Sequence, residues 1–344
     1  MESNVLAVTM GDPGGVGPEI LLKALSSERV WEMGVPVVVG DYEVLRHAKE
    51  LFELEISLIK LKTPDELRYE KGAVQVLDVG LVGDVSKLEV GKVTSSGGRV
   101  AFTCIKRAVE LVLGGKAKGI VTAPINKEAF KASGYNFAGH TELIAELAGV
   151  QRSITMFMVD NLKIFFHTRH ISLRRAIETL EPEGVSESIV CADACLRSIE
   201  HRPRRIALAA LNPHASDGGL FGDEEEKILA RAIDLARLKG VDVTGPVPAD
   251  SVFHLALQGK YDAVVSLYHD QGHIAAKTYD FFRTVSVTFG LQFMRTSVDH
   301  GTAFDIAWKG VANPESMIEA ILACFRLSGK YNPSVFQPWP DQDV

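Results

Sequence analysis

The sequence predicts an α/β fold built as two domains. Short apolar runs alternate with longer amphipathic stretches along the chain, the pattern of parallel strands joined by helices. The length, 344 residues, also exceeds what a single hydrophobic core usually serves. No Pro/Gly/Ser-rich linker and no internal repeat interrupts the alternation, so the chain is expected to pass between domains in short connections.

In order, the apolar runs place strands at Val5–Thr9, Val35–Val39, Gly119–Thr122, Ile154–Val159, Lys163–Phe166, Arg205–Leu211, Ala263–Ser266 and Val285–Thr288. Helical spacing covers Arg99–Leu113, Thr141–Ala148, Glu224–Lys239 and Pro314–Arg326. The acidic run Asp223–Glu226 sits where a helix start stabilises negative charge.

Composition narrows the function. With 37 basic and 44 acidic residues the formal charge is −7, and Lys and Arg are scattered, which argues against a nucleic-acid binder. An anionic ligand would need a local positive pocket. No apolar run approaches the roughly 20 residues of a membrane span, and Met1–Val8 lacks the features of a signal peptide. Cys104, Cys191, Cys195 and Cys324 form no CxxC pair, so free buried thiols and a cytoplasmic location are expected.

Four features carry chemistry. The run Met10-Gly11-Asp12-Pro13-Gly14-Gly15-Val16-Gly17-Pro18-Glu19 follows the first strand and leads into a helix; it reads equally as a binding loop or a tight turn. It lacks both the GxGxxG spacing of a dinucleotide fold and the Lys-Ser/Thr of a P-loop. Histidines fall in loop-like segments, and His170, His214 and His269 each follow a predicted strand. Strand ends of an open α/β sheet converge on the ligand crevice, where three neutral imidazoles would bind a first-row divalent metal. Three unrelated polar loop histidines would look the same. The stretch Asp299–Pro314 suits a loop folded over a flat ring, or a structural loop. Lys277 and Arg295 are candidate anion contacts, though each alone reads as a surface charge.

Taken together, Gly11–Glu19, Gly139-His140-Thr141-Glu142, Asn212-Pro213-His214-Ala215, Tyr268-His269-Asp270-Gln271-Gly272 and Arg295–Ala303 resemble the 4-hydroxythreonine-4-phosphate dehydrogenase (PdxA) family, from about residue 5 to residue 325. The first and last of these are also similar to the wider isocitrate and isopropylmalate dehydrogenase superfamily. The resemblance implies two α/β/α domains with the active site in the interdomain cleft: 1–135 plus 290–344, associated with NAD, and 136–289, carrying the metal. It implies a homodimer in which one of the metal ligands His170, His214 and His269 comes from the partner subunit. The cation would be Zn, Co, Ni, Mn or Mg. Substrate contacts carry over to His140, Thr141, Lys277 and Arg295, with Lys277 also catalytic. Asp250 and Asp270 match acidic positions expected to orient histidines or move protons. Gly11 and Asp12, with His300, Gly301, Thr302 and Asn313, would serve the cofactor, NAD with NADP as the alternative.

The implied reaction is oxidation at C3 with decarboxylation of a 4-phosphorylated four-carbon hydroxy acid. Ser286 stands where biosynthetic members have a substrate-contacting Asn, and His273 where an apolar residue is common. Both point toward 4-phospho-D-threonate or 4-phospho-D-erythronate rather than 4-phosphohydroxy-L-threonine. A phosphate-handling acyltransferase of related fold and a non-catalytic phospho-ligand sensor are the competing readings.

Overall fold

A computed structural model describes residues 4–68, 71–137, 139–200 and 202–336. Its strands, in chain order, are β1 (Val5–Thr9), β2 (Val35–Gly40), β3 (Ser57–Leu61), β4 (Ala73–Asp78), β5 (Gly119–Thr122), β6 (Ile154–Val159), β7 (Leu162–Phe166), β8 (Ile206–Ala209), β9 (Val243–Val247), β10 (Ala263–Ser266), β11 (Val285–Phe289) and β12 (Met294–Val298). The chain divides into two compact units: Met1–Ser153 with Val285–Tyr331, and Ile154–Thr284 with Asn332–Val344. The helix His140–Leu147 falls in the first. Residues 1–3 and 337–344, part of the expected first domain, lie outside the described residues.

In the first unit the strand order is β3-β4-β2-β1-β5-β12-β11. β1, β2 and β5 are buried at every position, as strands covered on both faces must be, and this explains their unbroken apolar runs. Helices Ser95–Leu113 and Glu315–Ser328 supply much of that cover, and Gly17–Leu25, its entry preset by Pro18 in the first turn, packs against the latter.

The second unit runs β6-β7-β10-β8-β9, with a core that includes Phe157, Ile164, Val252, Val264 and Ala276. Helices Pro182–Ile199, Ala249–Leu257 and His269–Tyr279 pack on it.

Two strand pairs depart from the expected parallel arrangement. β6 and β7 are antiparallel, because only Asp160 and Asn161 join them and a two-residue link cannot make a parallel crossover. Asp160 turns the chain at φ +49°. β11 and β12 are antiparallel for the same reason, their short connection beginning at Gly290 with φ +88°. The four cysteines are buried, and none of them is in a disulfide. Among the described residues no helix is long and apolar enough to cross a membrane.

Candidate active site

Each unit assembles one group of functional side chains. In the first, the Gly-rich run is a loop fixed by close approach. Gly11 turns at φ +78°, and a Cβ there would meet the Pro124 carbonyl oxygen at 2.4 Å, so only glycine fits. Asp12 Oδ1 accepts from Gly14 N at 2.9 Å. Its Oδ2 is buried without a hydrogen-bond partner among the described residues, and burial pushes the carboxyl up to about 6 against the pull of the Gly14 bond.

The same loop is stitched to the segment after β12. Val16 N donates to Thr302 O at 3.0 Å and Trp308 Nε1 to Pro13 O at 2.9 Å. Glu19 accepts from Ala312 N at 2.8 Å and from Lys23 Nζ at 2.7 Å, and Lys23 also donates to the carbonyls of Gly310 and Ala312. Glu19 and Lys23 were not among the expected site residues. Their i,i+4 spacing of opposite charges was the available signal, and it reads in a sequence as an ordinary helix pair. Of the expected cofactor residues, Thr302 is buried, Gly301 is exposed, and His300 Nδ1 faces the Gly301 carbonyl at 2.9 Å. Asn313 Oδ1 accepts from Glu315 N at 2.9 Å, so it starts the following helix.

Beside this loop, a row of polar side chains crosses β5, β12 and β11 inside the sheet. Arg295 is 4 % exposed, and among the described residues its guanidinium donates to the hydroxyls of Thr122 at 2.7 Å, Thr288 at 3.1 Å and Thr141 at 3.4 Å, with the charge of Glu142 also acting on it. Its Nε is buried with no hydrogen-bond partner among the described residues, and desolvation lowers its pKa to about 10. His140 is the first residue of its helix, not a loop residue, and its Nε2 is also buried and unpartnered among the described residues. Burial, reinforced by the charge of Arg295, holds this imidazole well below its ordinary pKa, so it is neutral near pH 7. Ser286 lies on β11 opposite Ser297 and is 9 % exposed. A buried cation and a buried imidazole thus each keep a nitrogen without a hydrogen-bond partner among the described residues, the one able to take an anion and the other a hydroxyl.

In the second unit His170, His214 and His269 follow β7, β8 and β10, strands adjacent in the order β7-β10-β8. Thr168 N and Oγ1 both donate to Leu267 O, at 3.2 and 2.8 Å. Gln271 takes Leu267 N at 2.8 Å and gives Nε2 to Ala210 O at 2.8 Å, so one side chain ties two strand ends together. Gly272 lets the helix His269–Tyr279 settle on the sheet, since a Cβ would meet Phe166 at 2.6 Å and Ile164 at 2.7 Å.

The rings of His170 and His269 stand 5.9 Å apart on a concavity of about 270 Å³, lined also by Arg169, Tyr268 and Asp270. Asp270 Oδ1 lies 2.6 Å from His269 Nδ1, which places the proton there and leaves Nε2 with its lone pair outward. His273 stacks on His269 at 3.6 Å and 11°, and burial pushes its own pKa down to about 4. His269, His273 and Lys277 follow each other at i, i+4 and i+8 along one side of the helix, and Lys277 Nζ lies 5.2 Å from the Phe281 ring centroid.

His214 does not join the pair; its ring lies 6.4 Å from that of Phe221, and no three His, Cys, Asp or Glu side chains among the described residues form a metal-holding group. Its turn is unusual. His214, Ala215, Ser216 and Asp217 all have positive φ, at 54°, 54°, 71° and 45°, and such non-glycine residues cost about 1–2 kcal/mol each. Asp250 is exposed in the first turn of Ala249–Leu257. The carboxylate that orients a histidine is Asp270. A pair of imidazoles with a fixed tautomer, facing a shared concavity, suits a divalent cation; it supplies two nitrogen donors and room for others.

Comparison with known proteins identifies the family. The family described as pyridoxal phosphate biosynthetic protein PdxA matches residues 32–324. A protein of Fusobacterium nucleatum provisionally named D-threonate 4-phosphate dehydrogenase is 46% identical over 331 residues, covering 96% of this chain and 97% of its own. Among solved structures, a 4-hydroxythreonine-4-phosphate dehydrogenase from Klebsiella pneumoniae is 43% identical with a TM-score of 0.85, over 95% of this chain and 100% of that one. A protein from Salmonella typhimurium provisionally named 4-hydroxythreonine-4-phosphate dehydrogenase is 44% identical with a TM-score of 0.82, over 94% of this chain and 99% of that one. The chain therefore belongs to the PdxA family and is a dehydrogenase, an enzyme class that works with a nicotinamide cofactor.

Proposed function

We propose that this dehydrogenase uses NAD to oxidise the C3 hydroxyl of D-threonate 4-phosphate, with D-erythronate 4-phosphate as its nearest alternative, and that CO₂ then leaves. The observation that carries the reading is the buried Arg295, which among the described residues has three hydroxyls as its hydrogen-bond partners and leaves its Nε unpartnered. A cation buried in that way is stabilised by an anionic ligand more than by the protein around it. Support for a phosphorylated hydroxy acid comes from the name of the Fusobacterium relative, and from Ser286 at the position of the biosynthetic Asn.

The residues divide the work. Arg295 and Thr141 hold an anionic end of the substrate, and neutral His140 accepts a hydrogen bond from a hydroxyl at Nε2. The Gly-rich loop, stitched to Thr302 and Ala312, offers its backbone to NAD. His170, His214 and His269 hold a divalent cation, one of the three being contributed by the partner subunit of a homodimer. NAD supplies the hydride acceptor, and the cation supplies Lewis acidity toward the reacting hydroxyl. Asp270 accepts at His269 Nδ1 and so orients the ring. The 3-oxo acid carries its carboxylate β to a ketone, which is why CO₂ departs, and Lys277 returns a proton to the carbon left behind.

The test is NADH formation with Co²⁺ present, using 4-phospho-D-threonate, 4-phospho-D-erythronate and 4-phosphohydroxy-L-threonine in parallel. A higher kcat/KM for a phospho-aldonate, with CO₂ released in step with NADH, is expected. Preference for the amino acid phosphate would overturn the substrate assignment, and NADH without CO₂ would remove the decarboxylation.

A further inference from the structure

The strained His214 turn is held by a residue that the chemistry above does not use. Glu225 is 5 % exposed and begins a π-helical turn, Glu225–Leu229, in front of the helix Ala230–Leu238. Its Oε1 accepts from the main-chain N–H of Leu211 at 2.8 Å and of Asn212 at 2.7 Å, and its Oε2 from Asn212 Nδ2 at 2.8 Å. The two amides lie at the point where β8 gives way to the left-handed turn. The far end is closed by Ser216 Oγ, which donates to the Gly222 carbonyl, and by Phe221 N donating to Ser216 O at 3.2 Å. Consecutive left-handed residues persist only where their surroundings over-determine them. Here both main-chain amides are held by one buried carboxylate, while Asn212 Nδ2 is shared with Glu224 Oε2 at 2.7 Å.

We propose that Glu225 is a positioning residue for His214: by holding both amides that lead into the turn, it fixes where the imidazole is presented to the metal. The proposal rests on the reading of His214 as a ligand. A carboxylate is acceptor-only and satisfies all three donors at once. Glutamine has the same shape but carries an NH₂, which must face either Asn212 Nδ2 or the two main-chain N–H groups. Facing the main chain, the NH₂ meets two N–H donors; facing Asn212, it either meets Nδ2 or forces that amide to turn and give up its bond to Glu224, so a present bond is lost either way. Outer groups of this kind typically change metal affinity 10–100-fold when altered.

The experiment compares Glu225→Gln and His214→Ala with wild type as full-length protein. It measures Co²⁺ affinity by chelator competition, the visible spectrum of bound Co²⁺, NAD affinity and melting temperature. Glu225→Gln is expected to weaken Co²⁺ about tenfold or more and to alter its spectrum while NAD affinity stays within twofold. A lower melting temperature with wild-type Co²⁺ affinity would make Glu225 merely structural and overturn the proposal. If Glu225→Gln does not fold, Glu225→Asp keeps an acceptor-only carboxylate but draws it one methylene back from the main-chain N–H groups of Leu211 and Asn212. A severalfold loss of Co²⁺ affinity there supports the proposal, and wild-type affinity refutes it. His214→Ala with undiminished Co²⁺ affinity would remove His214 as a ligand, and the role of Glu225 with it. Loss in His214→Ala without loss in Glu225→Gln would overturn the role of Glu225 alone.

Discussion

Arg295 and Asp12 are both charged groups buried with an idle atom, and they make opposite predictions. Arg295 gives up hydration for three hydroxyl contacts, so replacing it with an apolar chain of similar length relieves a cost while removing the anion contact. Arg295→Met is expected to leave the melting temperature unchanged or raised, and to lower kcat/KM by about 100- to 1000-fold, mainly through KM. A loss of stability with little change in KM would show that the guanidinium supports the sheet. Asp12 is a pH matter. Its folded-state carboxyl keeps a proton up to about pH 6, whereas the unfolded chain releases it near 3.8. Between those values the unfolded state binds fewer protons, so stability falls as pH rises, by on the order of 3 kcal/mol in all, and is flat above. Urea unfolding from pH 4 to pH 7 should show this slope in wild type and not in Asp12→Asn. Neither pattern was legible beforehand. Arg295 and Asp12 were visible as chemistry, but burial without a partner depends on Thr122, Thr141, Thr288 and Gly14 arriving together, and spacing in the sequence carries no trace of that.

At the scale of elements, legibility followed apolar continuity, and β4 was missed where the buried Gln75 interrupts its run. β1, β2, β5, β6 and β10 emerge as expected, to within a residue, because each is a run of buried apolar side chains. β12 was missed because its centre is Arg295-Thr296-Ser297, polar residues buried by mutual pairing, and β9 because Gly245 and Pro246 interrupt it. β3 was missed because it is partly exposed, and its alternation is weak over five residues. His269 was assigned to a loop but begins a helix, since Gly272 disguises a close helix–sheet contact as a turn signal. The Gly-rich loop was the element whose role stood open between turn and binding loop, and its contact with the segment after β12 makes a test. A Cβ on Gly15 would meet Thr302 Cβ at 2.9 Å and Thr302 O at 3.0 Å. Gly15→Ala must push the two segments apart at the Val16–Thr302 hydrogen bond. The KM for NAD is then expected to rise about tenfold, as for losing about 1.4 kcal/mol of binding, while the KM for the phosphorylated acid stays within twofold. Equal rises in both would mean that the loop does not belong to the cofactor.

For the whole molecule, the question is how a third ligand joins a site of which this chain brings together His170 and His269 but not His214. The family resemblance assigns one of the three to the partner of a homodimer, and that assignment can be tested without knowing which. His170→Ala, His214→Ala and His269→Ala are each expected to be inactive as homodimers. Suppose two variants are mixed, with subunits exchanged, and the two lost ligands normally come from different subunits. One site of each heterodimer then collects both lesions, and the other collects none. Half of a randomly mixed population is heterodimer, so about a quarter of wild-type activity should return. When both lost ligands come from the same subunit, every site stays broken. Of the three pairwise mixtures, two should therefore recover activity and one should not, and the histidine common to the two recovering mixtures is the one contributed across the interface. Metal content should follow the same pattern, which separates restored ligation from a restored fold. Failure of all three mixtures, with subunit exchange verified by a tag, would place the three ligands on one chain, and the His214 turn would then have to move to meet the other two.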